Sequence, residues 1–333
     1  MHARARTRVP CMHARARLRA DVGAVQKRIG VGSRGQVFQA NSGDGKIVAV
    51  KVMNREDDET NVEITAISRL QPHPHIIAML GSVEYSADSA FLVLEFCETD
   101  LLEVVTARGG EGLPEDVASA YFLQLVKALR HSHKRGVYHG DIKPENCLIQ
   151  GADLKLCDFG SASLQRMSTR ATGSVLYAAP EVVPYLAEHS DASPLAPGAH
   201  EAAATLKAAG MLGVHDVVRY DAAAADCWSL GVVLFVMLAG RPPFAEATLY
   251  DAEFVKLVQN EFDFPPHFSN DAVRLLRFIL RVPPAERPTI SDILRDPWVT
   301  PFSEARASIN VMQRRMTRQH HGGDRLHGSR HHR

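Results

Sequence analysis

The spacing of apolar residues changes once along this chain, near residue 100, and that change limits the available folds more than any other feature. Ahead of it, short runs at 25–29, 36–40, 47–52, 76–83 and 91–96 read as strands, with Asn41-Ser-Gly-Asp-Gly45 as a hairpin signal between two of them. One segment, 59–70, instead carries Val62, Ile64, Ile67 and Leu70 near helical spacing. Behind the change, Leu113-Pro-Glu opens a helical pattern to about His133, with Val117, Tyr121, Leu125 and Leu129 on one face. Segments 230–239 and 271–280 read as further helices. A length of 333 residues suits two packed units or one large bilobal one. The expected fold class is α+β: a small, mainly-β N-lobe with one helix, then a larger, mainly-α C-lobe.

The formal net charge of zero hides a segregation. Residues 1–20 carry six Arg and no acid, and residues 301–333 carry seven Arg against Glu304 and Asp324. Residues 21–300 hold 25 basic and 36 acidic residues, so an acidic body lies between basic ends. MHARAR occurs at 1–6 and again at 12–17 with no apolar helical face, which reads as a disordered basic tail. An Arg-rich, acid-free start also fits an organellar transit peptide. The expected organisation is a tail at 1–20, the N-lobe at 21–96, the C-lobe at 97–300 and a basic His/Arg-rich tail at 301–333. Within the C-lobe, the Ala- and Gly-rich stretch 186–217 reads as a surface insertion. Five cysteines without a C-x-x-C pair argue against a disulfide framework or a zinc site. The longest apolar run, 230–239, falls short of the roughly 20 residues a bilayer crossing takes, so it reads as a buried helix.

Four motifs carry chemistry. Gly30-Val31-Gly32-Ser33-Arg-Gly35-Gln-Val37 spells G-x-G-x-x-G-x-V, and glycines let a backbone approach phosphate oxygens with its N–H groups. A dinucleotide-binding reading requires a helix directly after the glycines, whereas 36–40 reads as strand. Val48-Ala-Val-Lys51 puts a lysine on the third strand. His139-Gly-Asp141-Ile-Lys143-Pro-Glu-Asn146 gathers a carboxylate for an incoming hydroxyl, a cation for a transferred phosphoryl and an amide oxygen for a metal. Asp158-Phe-Gly160 places a carboxylate behind the strand-like 154–157, where it suits Mg²⁺. Ala179-Pro-Glu181 follows.

In this order the motifs resemble a eukaryotic protein kinase catalytic domain over about 21–300. The likeness continues through Asp226-Cys-Trp-Ser-Leu-Gly231, Arg241-Pro-Pro-Phe244 and Arg287, and Lys143 in D-x-K-P-E-N is similar to the serine/threonine branch. The resemblance implies a bilobal kinase fold with ATP and Mg²⁺ as cofactors. It implies that Lys51 holds ATP phosphates and pairs with Glu63, with Glu59 as the alternative because the link from Lys51 is short. Asp141 is then the catalytic base, Lys143 neutralises charge on the γ-phosphoryl, and Asn146 and Asp158 hold Mg²⁺. Gly30, Val31, Gly32, Ser33 and Gly35 would cover the phosphates, and Val37, Ala49 and Leu148 would flank the adenine. Leu94 stands at the gatekeeper position, Glu95 and Cys97 at the hinge, and Asp100 on the ribose side. Structural roles also follow: Glu181 with Arg287 as a buried ion pair, Asp226 as a brace, and Leu80, Ile67, Phe159 and His139 as a spine.

The chain departs from the pattern at Gly140, where many kinases carry an Arg that receives an activation-loop phosphate. Activity independent of phosphorylation at Thr169 or Thr172 is therefore expected. His-Gly-Asp is also similar to aminoglycoside-phosphotransferase enzymes, which lack the A-P-E and D-x-W-S-x-G elements present here. An active Ser/Thr protein kinase and a pseudokinase scaffold remain as readings. Intact Lys51, Asp141, Asn146 and Asp158 favour the first, while the short link to Glu63 and Gly140 carry the second. The acidic body suggests protein substrates with Ser or Thr in basic contexts, with Glu145 and Asp100 as local contacts. A monomer without a membrane span or specific nucleic-acid binding, cytoplasmic or nuclear, completes the expectation.

Overall fold

The computed structural model describes residues 22–32, 35–54, 58–84, 89–170, 173–183, 196–208, 219–299 and 309–312. The tail at 1–20, Ser33 and Thr172 lie outside the described residues, as does most of 301–333. By backbone contacts the chain divides into two units, Met1–Gln71 with Ile77–Phe96, and Pro72–Ile76 with Cys97–Arg333.

The first unit is a five-stranded antiparallel sheet with one helix. Its strands are β1 (Val22–Gly32), β2 (Gly35–Ser42), β3 (Ile47–Asn54), β4 (Met79–Glu84) and β5 (Ser89–Glu95), in the order β1-β2-β3-β5-β4. Helix α1 (Asp58–Leu70) follows β3. Strand alternation sorts β3 into two faces. Val48 and Val50 pack with Ala40, Phe91 and Val93 in one apolar cluster. Ala49 and Lys51 fall on the opposite face, where the register sets Lys51 across from Val37 and Leu92, and Ala49 across from Leu94. The β2–β3 hairpin closes where the sequence signals it, with Gly45 N–H donating to the Ser42 carbonyl at 2.9 Å.

The second unit is mostly helical. Thr99–Asp100 (β6) pairs with β7 (Cys147–Gln150), which pairs with β8 (Asp153–Leu156). Its helices are α2 (Leu101–Thr106), α3 (Glu115–Lys134), α4 (Ala199–Ala208), α5 (Ala222–Ala239), α6 (Ala252–Val258), α7 (Asn270–Ile279) and α8 (Ile290–Ile293). Helix α5 is apolar almost all round and mostly buried, the signature of a core helix. Asp221 caps its start through Ala223 N–H at 2.9 Å, and Gly240 ends it in the left-handed region.

The segment 72–76 belongs with the second unit rather than with the strands on either side of it. Ile76 bridges Leu156 in parallel, the Leu156 N–H donates to His75 O at 3.0 Å, and the His73 ring lies 4.3 Å from that of His131. Within the insertion, 196–208 are described. Ala199, Ala202 and Leu206 of α4 are buried, and α4 packs on α6, with Gln259 Nε2 donating to Gly198 O at 3.1 Å.

Candidate active site

In the second unit the loop between α3 and β7 carries His139, Asp141, Lys143 and Asn146, and a carboxylate from α5 holds it. Asp226 is almost fully buried; its Oδ2 accepts from His139 N and His133 Nε2, both at 2.8 Å, and its Oδ1 from Gly140 N at 2.9 Å. A buried carboxylate demands such donors, so the brace and the loop fix each other. Gly140 has φ +74°, and a Cβ on Gly173 would lie 2.5 Å from Gly140 O. Two backbones therefore pass with room for glycine alone.

The polar side chains of this loop form one cluster. Lys143 Nζ sits 2.9 Å from Asp141 Oδ2 and donates to Ser174 Oγ at 2.7 Å. Asn146 Nδ2 donates to Asp141 O at 2.8 Å and to Asp141 Oδ2 at 3.2 Å. Asp141 Oδ1 is buried and has no partner among the described residues. An unpaired buried acceptor is costly, and it is what a carboxylate waiting for a hydroxyl proton presents.

Asp158 follows β8 with φ +60°, a left-handed conformation that costs a non-glycine residue about 1–3 kcal/mol. The Cys157 N–H donates to Asn146 O at 2.9 Å, which brings Asp158 beside the Asn146 loop. Because the Asn146 amide nitrogen is committed to Asp141, its Oδ1 is the atom left to accept. One amide oxygen and one carboxylate fit Mg²⁺, which takes one or two carboxylates and completes its shell with waters and phosphate oxygens. Phe159 and His139 are fully buried, their rings 4.8 Å apart.

In the first unit, Lys51 Nζ donates to both Glu63 carboxylate oxygens, at 2.7 and 2.8 Å, with both residues buried. The trimmed connection after β3 thus still delivers Glu63 to the lysine; the Glu59 side chain lies outside the described residues. A Cβ on Gly35, where φ is +148°, would lie 2.1 Å from Val52 O, so this glycine is a steric requirement. Gly30 is half-buried, Val31 exposed, and Gly32 pairs with Gly35 at the tip. Val37, Ala49, Lys51 and Leu94 share one sheet face, and Glu95 Oε1 accepts from Ala78 N at 2.7 Å. Leu80 does not behave as a spine residue: its side chain is 58% exposed. Its neighbour Met79 points the other way, pairing with Leu94 and meeting Ser68 of α1 through Sδ at 3.7 Å. A one-residue step along a strand switches faces, so Met79 rather than Leu80 meets α1.

Cys97 and Asp100 open the main stretch of the second unit, and Leu148 on β7 stands opposite Asp100 across β6–β7. Asp100 caps α2 by accepting from Glu103 N at 2.9 Å, and burial raises its pKa. The residue expected on the ribose side thus has a structural task as well.

The segment from Asp158 to Glu181 is tied down by side chains and backbone. Met167–Ser168 (β9) pairs with Tyr220–Asp221 (β10), Arg166 holds Asp221 through Nε and Nη2 at 3.0 and 2.8 Å, and Tyr220 OH donates to Arg170 O at 2.7 Å. Thr169 is exposed. Farther on, Arg287 donates to the two Glu181 oxygens at 2.6 and 2.7 Å. Sequence reading missed His133 and the Arg166–Asp221 pair. His133 had a faint signal as one of the basic residues in the last turn of α3; the pair spans 55 residues of unrelated sequence and had none.

A model of the protein kinase domain matches residues 24–195 and 215–299. The chain belongs to the protein kinase domain family. The match breaks between residues 195 and 215, between the A-P-E element and α5. Among curated relatives, CBL-interacting protein kinase 20 of Oryza sativa subsp. japonica is 32% identical over 310 residues, 86% of this chain and 59% of the relative. CBL-interacting serine/threonine-protein kinase 5 of Arabidopsis thaliana is 35% identical over 77% of this chain and 52% of its own length. CBL-interacting serine/threonine-protein kinase 24 of Arabidopsis thaliana is 35% identical over 82% and 56%. The chain spans about half the length of the curated relatives it matches.

Proposed function

We propose that this kinase domain transfers the γ-phosphoryl of ATP to Ser or Thr hydroxyls of protein substrates. The observation that carries the reading is the Asp141–Lys143–Asn146–Ser174 cluster, in which Asp141 keeps one buried oxygen unpartnered. In this reading Asp141 Oδ1 accepts the substrate hydroxyl proton while Lys143 lies beside it to meet charge on the phosphoryl oxygens. Ser174, bound to Lys143, lines the place where the hydroxyl-bearing residue docks. Lys51, oriented by Glu63, takes phosphate oxygens, and Gly30, Val31, Gly32, Ser33 and Gly35 cover them with backbone N–H groups. Val37, Ala49, Leu94 and Leu148 supply apolar surface for the adenine, Glu95 and Cys97 its backbone hydrogen bonds, and Asp100 a ribose contact. Asn146 and Asp158 would hold Mg²⁺, which supplies charge neutralisation on the phosphates. The relatives' names attach a CBL partner to those proteins; for this chain the reading extends to protein substrates, in basic contexts that suit its acidic body.

The reading includes activity without activation-loop phosphorylation. Gly140 offers no guanidinium to a phosphate, and the β9–β10 pair, Arg166–Asp221 and Tyr220–Arg170 hold the segment with no phosphate involved. Radiolabelled ATP with mixed protein substrates tests both statements. Asp158→Ala is expected to lose turnover by orders of magnitude while the chain stays folded. Phosphatase treatment is expected to leave the rate unchanged; loss of turnover after dephosphorylation would refute the second statement alone. Nucleotide binding without transfer to any protein would favour the scaffold reading.

A further inference from the structure

Helix α7 buries Ala272, Leu275, Leu276 and Ile279. Helical spacing then sets Arg274, Arg277 and Phe278 on the opposite side, with Arg281 one turn further along the same stripe. This stripe, with Asp292 and Arg295 from the α8 region and Asp296 after it, lines a shallow concavity of about 720 Å³. Its charges are unevenly spent. Arg274 binds Asp296 through Nη1 and Nη2 at 2.6 and 2.9 Å, and Arg295 Nη2 sits 2.5 Å from Asp292. Both carboxylates of the groove are thereby neutralised. Arg277 and Arg281 have no carboxylate partner among the described residues; Arg277 rests 5.1 Å from the Phe264 ring centroid, and Arg281 is engaged only through its backbone carbonyl, which accepts from Arg287 Nε. Phe278, 37% exposed, lies between them.

We propose that this groove docks an acidic peptide segment of a partner protein, seating one apolar side chain on Phe278 and carboxylates on Arg277 and Arg281. Guanidinium forks match carboxylates in geometry as well as charge. The remainder of the body is acidic and repels such a peptide, so this patch decides where it lands. A favourable place in the helix dipole accounts for Arg277 in the last turn of α7 but not for Arg281 beyond its end or for an exposed phenylalanine beside them. The chain's own 301–333 segment carries seven Arg against two acids and so matches the groove in sign instead of complementing it. A nucleic-acid backbone would find only Arg277 and Arg281 unspent beside an apolar floor, a poor lining for continuous phosphates.

The test is fluorescence anisotropy on the full chain with a short fluorescein-labelled peptide whose glutamates surround a central Leu-Phe pair, and it needs no turnover. The expected result is saturable binding that weakens with salt, falls at least about tenfold in R277E/R281E, and falls also in F278A. R277Q/R281Q serves if charge reversal disturbs the stacking on Phe264, and an unchanged thermal midpoint shows that each variant is folded. Equal binding by the double variant, or equal binding of the glutamine version of the peptide, overturns the proposal. So does a labelled oligonucleotide that binds more tightly than the peptide and is lost with the same arginines. Self-association in sedimentation that disappears in R277E/R281E would assign the groove to a second copy and likewise overturn it.

Discussion

Glu181→Gln isolates the energy of a deeply buried ion pair. The Arg287 side chain is 0% exposed and that of Glu181 12%. Arg287 donates to both Glu181 oxygens and to the carbonyls of Arg281, Val282 and Ala224 at 2.7, 2.8 and 3.0 Å, while its guanidinium lies 5.0 Å from the Trp228 ring. Glutamine keeps the shape but removes the charge and turns an N–H₂ toward one guanidinium N–H. A buried guanidinium then remains with three carbonyls, one neutral amide oxygen and a ring as its compensation. Breaking a buried pair from one side costs about 3–5 kcal/mol, and the retained carbonyls place this case near about 3. For a unit of this size that is a fall of about 6–12 °C in the thermal midpoint. Urea denaturation followed by tryptophan fluorescence reads it directly, since Trp228 lies against the arginine. The double variant E181M/R287M should cost less than E181Q alone, because removing both charges abolishes the desolvation debt. A loss below about 1 kcal/mol for E181Q, or a double variant that costs the sum of the two single substitutions, would refute the reasoning.

Other perturbations separate the remaining supports. Asp226→Asn sets an amide N–H₂ against at least one of the three donors it now accepts from, and should destabilise the unit by about 1–3 kcal/mol and lower kcat more than KM, checked by denaturation and steady-state kinetics. Burial, then repulsion from His131, His75, Arg135 and Lys127, depresses the pKa of His73 from 6.5 to about 4. The unfolded chain therefore binds the proton first, so stability is full above pH 6.5 and declines as pH falls toward about 4; urea midpoints across that window should slope, and His73→Asn should flatten the slope. Gly35→Ala forces a Cβ into Val52 O at a positive φ and should cost more than about 1 kcal/mol together with weaker nucleotide binding, measured by calorimetry and by titration with a fluorescent ATP analogue.

Much of this was legible because local signals and tertiary demands agreed. The hairpin at Asn41-Ser-Gly-Asp-Gly45, the one helix after β3 and the C-terminal half of α5, read at 230–239, follow from turn chemistry and periodicity alone. The first eight residues of α5 lie outside that reading. The polar cluster was legible because Asp141, Lys143 and Asn146 fall within six residues, so a short loop brings them together whatever the rest of the chain does. What resisted reading depended on distant partners. The segment 72–76 is assigned by one parallel bridge and a histidine contact, neither visible in its own composition. Helix α4 is rich in alanine, so its buried face of Ala199, Ala202 and Leu206 leaves almost no periodic contrast. Leu80 and Met79 are equally apolar, and only the strand register tells which faces α1.

The loss of the usual arginine at Gly140 raises the question of what orders the segment carrying Thr169, and magnitudes decide among the contacts present. Arg166 reaches Asp221 through two nitrogens, yet its side chain is 64% exposed, and exposed pairs contribute at most about 1 kcal/mol. The Tyr220 hydroxyl bond to Arg170 O comes from a residue 8% exposed, and its phenol is held neutral, its pKa raised chiefly by burial. Ser168, also buried, lies in the β9–β10 pair, and Ala222 N–H donates to Arg166 O at 2.8 Å. The ordering thus rests on shielded, neutral hydrogen bonds rather than on an exposed ion pair, and these are insensitive to salt. A phosphate on exposed Thr169, one residue beyond the β9–β10 pair, would have Arg170 as its chain neighbour and, by the strand register, Arg219 across from it. If Arg166→Ala leaves the rate of transfer intact while Tyr220→Phe lowers it, the backbone-centred account stands; the opposite ranking would return control of this segment to its charges.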